Sequence, residues 1–445
     1  MPAEPSVTRR SFLRPASVLA AAPYFVPRTA LGTSPGRVPS ERINLAIIGL
    51  KKMGGAHVRT LLNHGDVQIV AVCDVRRDLR EATKLRVESH YAARRTDGKY
   101  RGCEAYHEYE RVMGRDDIDA VLIAVPDHWH AIIAIAACRA GKDVYCEKPL
   151  SRTIGEARQM VGAARRYATV FQTGSQQRSS GNFRRACELI RNGYIGEVKS
   201  VHVEVGPVSQ PVYLPEEPIP DGFDYDRWLG PAPWAPYNKL RVGSHYHDGW
   251  RRIRDYSGGK MTDWGAHHFD IVQWGLGMDD SGPVEIIPPS PRQSLEPLPK
   301  IVDGTGVSPL DPSWGLKYRY ANGIEVVKDH TNGLLFVGTE GKVEVNRGHL
   351  RTWPESLRTQ RLRSNDLRLY RSPGHHTDWF DCIRTRRRPI CDVEIGCRSA
   401  TVCHLGNIAL WLDRSIRWDP ASEQIIGDET AARWLDRPKR APYRL

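Results

Sequence analysis

The 445-residue chain lacks the patterns that would place it in several functional classes. Its nine cysteines are odd in number and show no CxxC spacing, which argues against a disulfide framework. Cys73, Cys138 and Cys146 sit inside apolar runs and read as packed small hydrophobes, while the regular step of Cys391, Cys397 and Cys403 fits no metal-ligand pattern. Zinc-finger spacing, a basic-region heptad, internal repeats and low-complexity tracts are all missing. The formal charge of +12 is therefore scattered rather than gathered into an arm, and its densest run, Arg384 to Arg388 in "IRTRRRP", reads as a solvated helix end. Nucleic acid is not an expected partner. Long apolar runs are absent too: "PASVLAAAPYFV" near the N-terminus is short and proline-broken, so no stable membrane insertion is expected.

What is present is the composition of a folded enzyme or binding protein: 40% hydrophobic and 26% charged, over a length suited to two large domains. The stretch Thr8-Arg9-Arg10-Ser11-Phe12-Leu13-Arg14 resembles a twin-arginine export signal. That resemblance implies a leader over residues 1–32, cleavage near Ala30 to Gly32, and a periplasmic or otherwise extracytoplasmic mature protein. Export by this route carries folded proteins, often with a cofactor bound.

From residue 43 the pattern alternates. "INLAII", "VQIVAVCD", "IDAVLIAVP", "KDVYCEKP" and "TVFQTGS" are short apolar runs, each ended by a glycine, an acid or a proline. Between them, "HAIIAIAACRAG" ends on a glycine, and "TIGEARQMVGAARRYA" opens on Thr153 with Glu156 three places on, a capping-box pattern. Strand-helix alternation of this kind predicts a Rossmann-like, doubly wound parallel α/β sheet over residues 43–175, with its ligand at the strand C-termini. After 176 the texture changes: a helix near 180–192, a Pro-, Trp- and Tyr-rich passage from 206 to 258, strands at 197–205, 317–329 and 334–346, and closing helices near 376–387 and 396–414. These predict a second α+β domain over 176–440 with a large, mainly antiparallel open sheet. Asn322-Gly323 is its expected hairpin turn.

The loop after the first strand, "IIGLKKMGG", almost forms a dinucleotide fingerprint. Gly49 supplies the tight turn and Gly54 the close helix-strand contact, while Lys51 stands where the second glycine belongs. Lys51 has two opposite readings: its Cβ crowds a pyrophosphate, or its ammonium pairs with it at a helix N-terminus that already favours anions. Met53 belongs to the same loop. Asp74, ending the next strand, suits a ribose diol; Arg76 and Arg77 just beyond it could receive a 2'-phosphate, but the carboxylate would repel it, so NAD is preferred over NADP.

"VPDHWH", with Pro126 and His130, and "CEKPL", with Glu147 and Lys148, fall at strand ends where a cofactor would lie. With them the chain resembles the Gfo/Idh/MocA family of oxidoreductases, the group of glucose-fructose oxidoreductase and inositol dehydrogenase. The resemblance covers nearly all of residues 43–440, and Glu147-Lys148-Pro149 is its most specific local piece. A second piece is "SGGKMTDWGAHHFD", in which Asp263 and His267 share a helix face. The resemblance implies that Lys148, Asp263 and His267 form the catalytic group: His267 as base for a substrate hydroxyl, Asp263 orienting, Lys148 stabilising a developing alkoxide. Gln177, Arg178 and Trp264 are candidate substrate contacts. The aromatic residues of "WLGPAPW" and "SHYHDGW" offer either sugar-stacking faces or loop packing. The histidine pairs at 128/130, 245/247, 267/268 and 375/376 lack placed carboxylates, so no metal is assigned.

Three readings follow. The first is an exported NAD-dependent oxidoreductase of a carbohydrate or polyol hydroxyl; the second is NAD-dependent, redox-assisted glycoside cleavage; the third is a non-catalytic sugar or cofactor binder, for which Lys51 is the only motive. A homodimer or homotetramer is implied by the resemblance.

Overall fold

Strands that are apolar on both faces need cover on both sides, and this requirement organises the first half of the structure. The computed structural model describes residues 42–243, 249–289 and 313–445; the twin-arginine-like leader and the 245/247 histidine pair lie outside the described residues. Six strands, β1 (Ile43–Ile48), β2 (Val67–Cys73), β3 (Glu104–Tyr106), β4 (Ala120–Ile123), β5 (Asp143–Cys146) and β6 (Phe171–Thr173), form a parallel sheet in the order β3-β2-β1-β4-β5-β6. Along β1, Leu45 and Ile47 enter one core with Val58 and Leu61 of the helix Lys52–Leu61. Ala46 and Ile48 enter the opposite core, under the helices Asp127–Arg139 and Ile154–Arg166. The strand order reverses between β1 and β4, which opens a crevice beyond their C-terminal ends.

The helix signals act as expected. Thr153 Oγ1 accepts the Glu156 N–H at 3.2 Å, and the Glu156 carboxylate reaches back to the Arg152 N–H at 2.9 Å. Gly141 takes φ +70° just past the helix Asp127–Arg139.

The second sheet contains, among the described residues, β7 (Val198–Val203), β8 (Glu285–Ile287), β9 (Lys317–Arg319), β10 (Glu325–Lys328), β11 (Leu334–Gly338), β12 (Lys342–Asn346), β13 (His349–Trp353), β14 (Ile416–Asp419) and β15 (Gln424–Ile425). Its order is β13-β12-β11-β7-β10-β9-β8-β14-β15, and every neighbouring pair is antiparallel except β7 with β10. One face packs on the helices Gly181–Arg191, Gly265–Leu276 and Val393–Leu412. Along β12, buried Val343 and Val345 alternate with Lys342 and Glu344, so only one face is covered. Asn322-Gly323 makes the expected turn, with Gly323 at φ +84°. The stretch 334–346 is two paired strands, and at the reversal the glycines at 338 and 341 lie where a Cβ would meet the carbonyl oxygens of Ile195 and Trp353.

The chain then returns to the first sheet. The helix His375–Thr385 buries Trp379 and Phe380 in a core of the parallel sheet. The helix Val393–Leu412 serves both halves: Val393, Cys397 and Ala400 join the parallel-sheet core, while Cys403, Leu405 and Ile408 join the core of the second sheet. Tyr225, Trp228, Tyr237, Trp250 and Tyr256 form a small aromatic core of their own in the long passage before the helix Gly265–Leu276.

Candidate active site

A cleft of about 530 Å³ opens at the C-terminal ends of β1 and β4. At its near end Gly49 holds φ +87°, and a Cβ there would stand 2.5 Å from the Ala124 carbonyl oxygen. A Cβ on Gly54 would stand 1.8 Å from the Gly49 carbonyl oxygen, so helix and strand approach as closely as the fingerprint requires. Lys51 sits at φ −71°, exposed at the rim, in a backbone conformation open to any L-residue. Met53 lines the same wall. The Asp74 carboxylate accepts the backbone N–H groups of Leu50 at 2.8 Å and Arg76 at 2.9 Å, tying the loop to the end of β2 while facing the cleft. Burial raises its pKa against these bonds. The Arg76 guanidinium binds Asp78 at 2.6 Å, which engages the cation that a 2'-phosphate would need. The glycine cradle and the cleft-facing carboxylate fit an extended dinucleotide.

Beyond β4, Pro126 lines the cleft but His130 does not. Its ring nitrogens lie 2.8 Å from the Pro149 carbonyl oxygen and 3.0 Å from that of Val125, so the cofactor contact expected of it is replaced by a clamp between two strand ends. Glu147 is buried: its carboxylate accepts from His57 Nε2 at 2.8 Å and from Gln176 Nε2 at 2.9 Å. Burial pushes Glu147 upward, but the His57 hydrogen bond and the nearby Lys148 charge hold it below the usual carboxylate range.

Lys148 turns to the second half of the chain. Its Nζ lies 2.7 Å from Asp263 Oδ1 and 2.9 Å from the Asp263 carbonyl oxygen. Burial alone would raise Asp263, but Lys148, Arg251 and Lys260 hold it far below its ordinary value, so it is a carboxylate at any working pH. His267, on the next helical turn, lines the same cleft with Nδ1 buried and, among the described residues, without a hydrogen-bond partner. Burial and the charges of Lys148 and Arg347 hold its pKa well below 6.5, so the imidazole is neutral and able to accept a proton. Trp264 lines the cleft between them, and Arg347 lies over its ring at 4.8 Å.

Two expected substrate contacts are displaced. Arg178 is buried, with Nε 2.8 Å from Asp270 and Nη2 2.6 Å from Asp279; two acids from a distant segment claim it as an internal strut. Gln177 is buried and does not line the cleft, whereas its neighbour Gln176 does. The segment Gln176–Ser179 is a tight helical turn, and its phase decides which glutamine faces in. Trp228 and Trp250 line the cleft, but Trp234 is exposed and does not. Asp127, Arg251, Lys260 and Arg347 also line the cleft and were not singled out from the sequence. Asp127 lay inside "VPDHWH" and Lys260 one helical turn before Asp263, whereas Arg251 and Arg347 carried no local signal.

Known proteins agree with this architecture. The chain is 28% identical over 190 residues to a myo-inositol 2-dehydrogenase of Thermotoga maritima, which spans 42% of this chain and 49% of that protein. It is 28% identical over 162 residues to a glycosyl hydrolase family 109 protein of Shewanella pealeana, covering 36% of this chain and 34% of that one. The chain thus spans about half or less of the length of these curated relatives. In fold it is similar to the WlbA dehydrogenase of Bordetella pertussis, solved with NADH and UDP-GlcNAcA, at a TM-score of 0.57 and 15% identity over 85% of this chain and 99% of that one. Residues 43–175 match the oxidoreductase family's NAD-binding Rossmann fold and residues 209–445 match its C-terminal alpha/beta domain, so the chain belongs to the Gfo/Idh/MocA oxidoreductase family.

Proposed function

We propose that this protein is an NAD-dependent oxidoreductase that moves a hydride between a carbohydrate or polyol hydroxyl carbon and nicotinamide. The observation that carries the reading is the 2.7 Å contact of Lys148 Nζ with Asp263 in a cleft that also receives neutral His267. The Gly49 loop and Asp74 would hold NAD, which when bound would supply the hydride acceptor. His267 takes the hydroxyl proton, Lys148 holds the oxygen as negative charge develops on it, and Asp263 fixes the lysine. NAD is favoured over NADP by Asp74 in the cleft and by the pairing of Arg76 with Asp78.

In the same reading, residues 43–175 bind the nucleotide and 176–440 supply substrate contacts and an oligomer interface through the open face of the second sheet. The leader directs export as a folded holoprotein. The first test is the nucleotide released by denaturing the purified protein, followed by NAD titration and a sugar and polyol screen for NADH formation. An empty protein that refuses millimolar NAD would sink the reading and favour a binder that has kept only the scaffold.

A second reading, NAD-dependent glycoside cleavage, uses the same residues. Its support is the similarity to a protein named as a glycosyl hydrolase family 109 member. Glycoside cleavage without net NADH distinguishes it from the first.

A further inference from the structure

Taking a hydride and a hydroxyl proton from one alcohol carbon uses one base, and His267 fills that place. The cleft holds a second group of the same kind. Asp127 opens the helix Asp127–Arg139 directly after Pro126, lines the cleft with Lys148, Asp263 and His267, and is only 2% exposed. Ser257 gives it a side-chain hydrogen bond, yet Oδ2 is buried and has no hydrogen-bond partner among the described residues. Other acids buried in the first turn of a helix have their oxygens engaged: Glu156 accepts the Arg152 N–H, and Asp378 accepts from the Tyr370 hydroxyl and the Ile390 N–H. A carboxyl oxygen sealed in a cleft without a partner is costly unless it is protonated or meets a ligand.

We propose that Asp127 is a second catalytic residue, which transfers a proton at the carbon next to the one that is oxidised. This rests on the oxidoreductase reading of the site. Once the alcohol has become a ketone, the neighbouring C–H is acidic. The Asp127 carboxylate takes that proton, the C–H electron pair becomes the C=C bond of an enolate, and the carbonyl oxygen takes the charge beside Lys148. Return of a proton restores the ketone. Alternatively, the carbonyl re-forms and a substituent on the next carbon leaves with its bonding pair, giving an unsaturated ketone. All electrons of this step come from the substrate, so it needs no further oxidant.

Ser257 is hydrogen-bonded to Asp127, and Arg251, Asp263 and Lys148, which line the same cleft, act on it by charge. Burial pushes the carboxyl up to about 7; the Ser257 hydrogen bond, Arg251 and Lys148 draw it down, and Asp263 pushes it up. Asp127 therefore changes charge in the neutral range, where a proton can move in either direction.

The full-length protein is turned over with NAD in D2O, with myo-inositol as the first probe and then whichever sugar the screen returns, and deuterium at the adjacent carbon is followed by NMR. The wild type is expected to incorporate deuterium. Asp127→Asn should lower the ratio of deuterium uptake to NADH formed by about a hundredfold, and Asp127→Glu should recover part of it. Ser257→Ala should move the pH midpoint of exchange upward. Independently of any substrate, the infrared difference between wild type and Asp127→Asn should show a protonated-carboxyl band that vanishes as pH rises through about 7. Oxidation without exchange in the wild type, exchange that survives in Asp127→Asn, or absence of the titrating band overturns the assignment and leaves the oxidoreductase reading standing. Failure of wild type and variant alike to form NADH overturns both.

Discussion

At position 51 the backbone lies at φ −71°, so nothing in the loop's geometry asks for glycine, and the lysine, though exposed, lines the cleft at its rim. The neighbouring glycines are different. A methyl group at Gly54 would meet the Gly49 carbonyl oxygen at 1.8 Å, and relief would have to come from moving the helix off the strand. Gly54→Ala should therefore cost about 1–3 kcal/mol and abolish NAD binding, read by urea titration and calorimetry. Lys51→Gly should leave the fold intact and weaken NAD by no more than about 1 kcal/mol, the worth of one cation at the phosphate end; tenfold tighter binding would show that the lysine crowds the cofactor. Lys148→Met should lower kcat by about a hundred- to a thousandfold with NAD retained, since the lost ammonium acts on charge that develops only during reaction. Helical spacing paired Asp263 with His267, but it was the resemblance to a family, carried by Glu147-Lys148-Pro149, that joined Lys148 to them; the structure brings all three to one cleft. Arg178 was misread because its partners, Asp270 and Asp279, lie on a segment that only folding brings near. Arg347 gave no signal at all: it sits beyond β12 and reaches the cleft through tertiary placement.

Elements were easier to read than their destinations. The Thr153 cap is local chemistry, visible as Thr and Glu at fixed spacing, and the structure forms both of its bonds. Thr153→Ala should cost about 1 kcal/mol, measured as a shift in urea midpoint with unchanged slope; no shift would mean that Asp436, which also accepts from the Thr153 hydroxyl, is not holding the junction through this residue. The strands of the parallel sheet announced themselves as uninterrupted apolar runs. The return of His375–Thr385 and Val393–Leu412 to that sheet did not: the first shows one apolar face and the second is apolar on most sides, and neither pattern says which core it joins.

For the molecule as a whole, pH should act through its buried imidazoles. Burial lowers His267 and His130, and it brings His268 and His375 to about 4 against an ordinary 6.5. As pH falls below 6.5 the unfolded chain binds protons that the folded chain refuses, so this contribution is complete above 6.5 and is lost toward pH 4. Each such histidine contributes on the order of 1 kcal/mol per pH unit in that window. The thermal midpoint is expected to drop steeply between those limits; a flat profile would mean that the imidazoles are not held neutral in the interior. Asp127 acts with the opposite sign. Its folded pKa is raised to about 7, so the folded state loses stability as pH climbs toward that value, and Asp127→Asn should gain on the wild type over the same rise.

All nine cysteines are buried and unpaired, and burial lifts their thiols, Cys138 to about 11 and Cys103 to about 12. Sealed in this way, they make the native chain its own unfolding clock: a maleimide should find no target until the interior opens, and then several at once. In an oxidising medium the same arrangement works as a ratchet. A molecule that stays closed is inert, while one that opens is captured by mispaired sulfur bridges and does not return, so the opening rate rather than the equilibrium sets its working lifetime there.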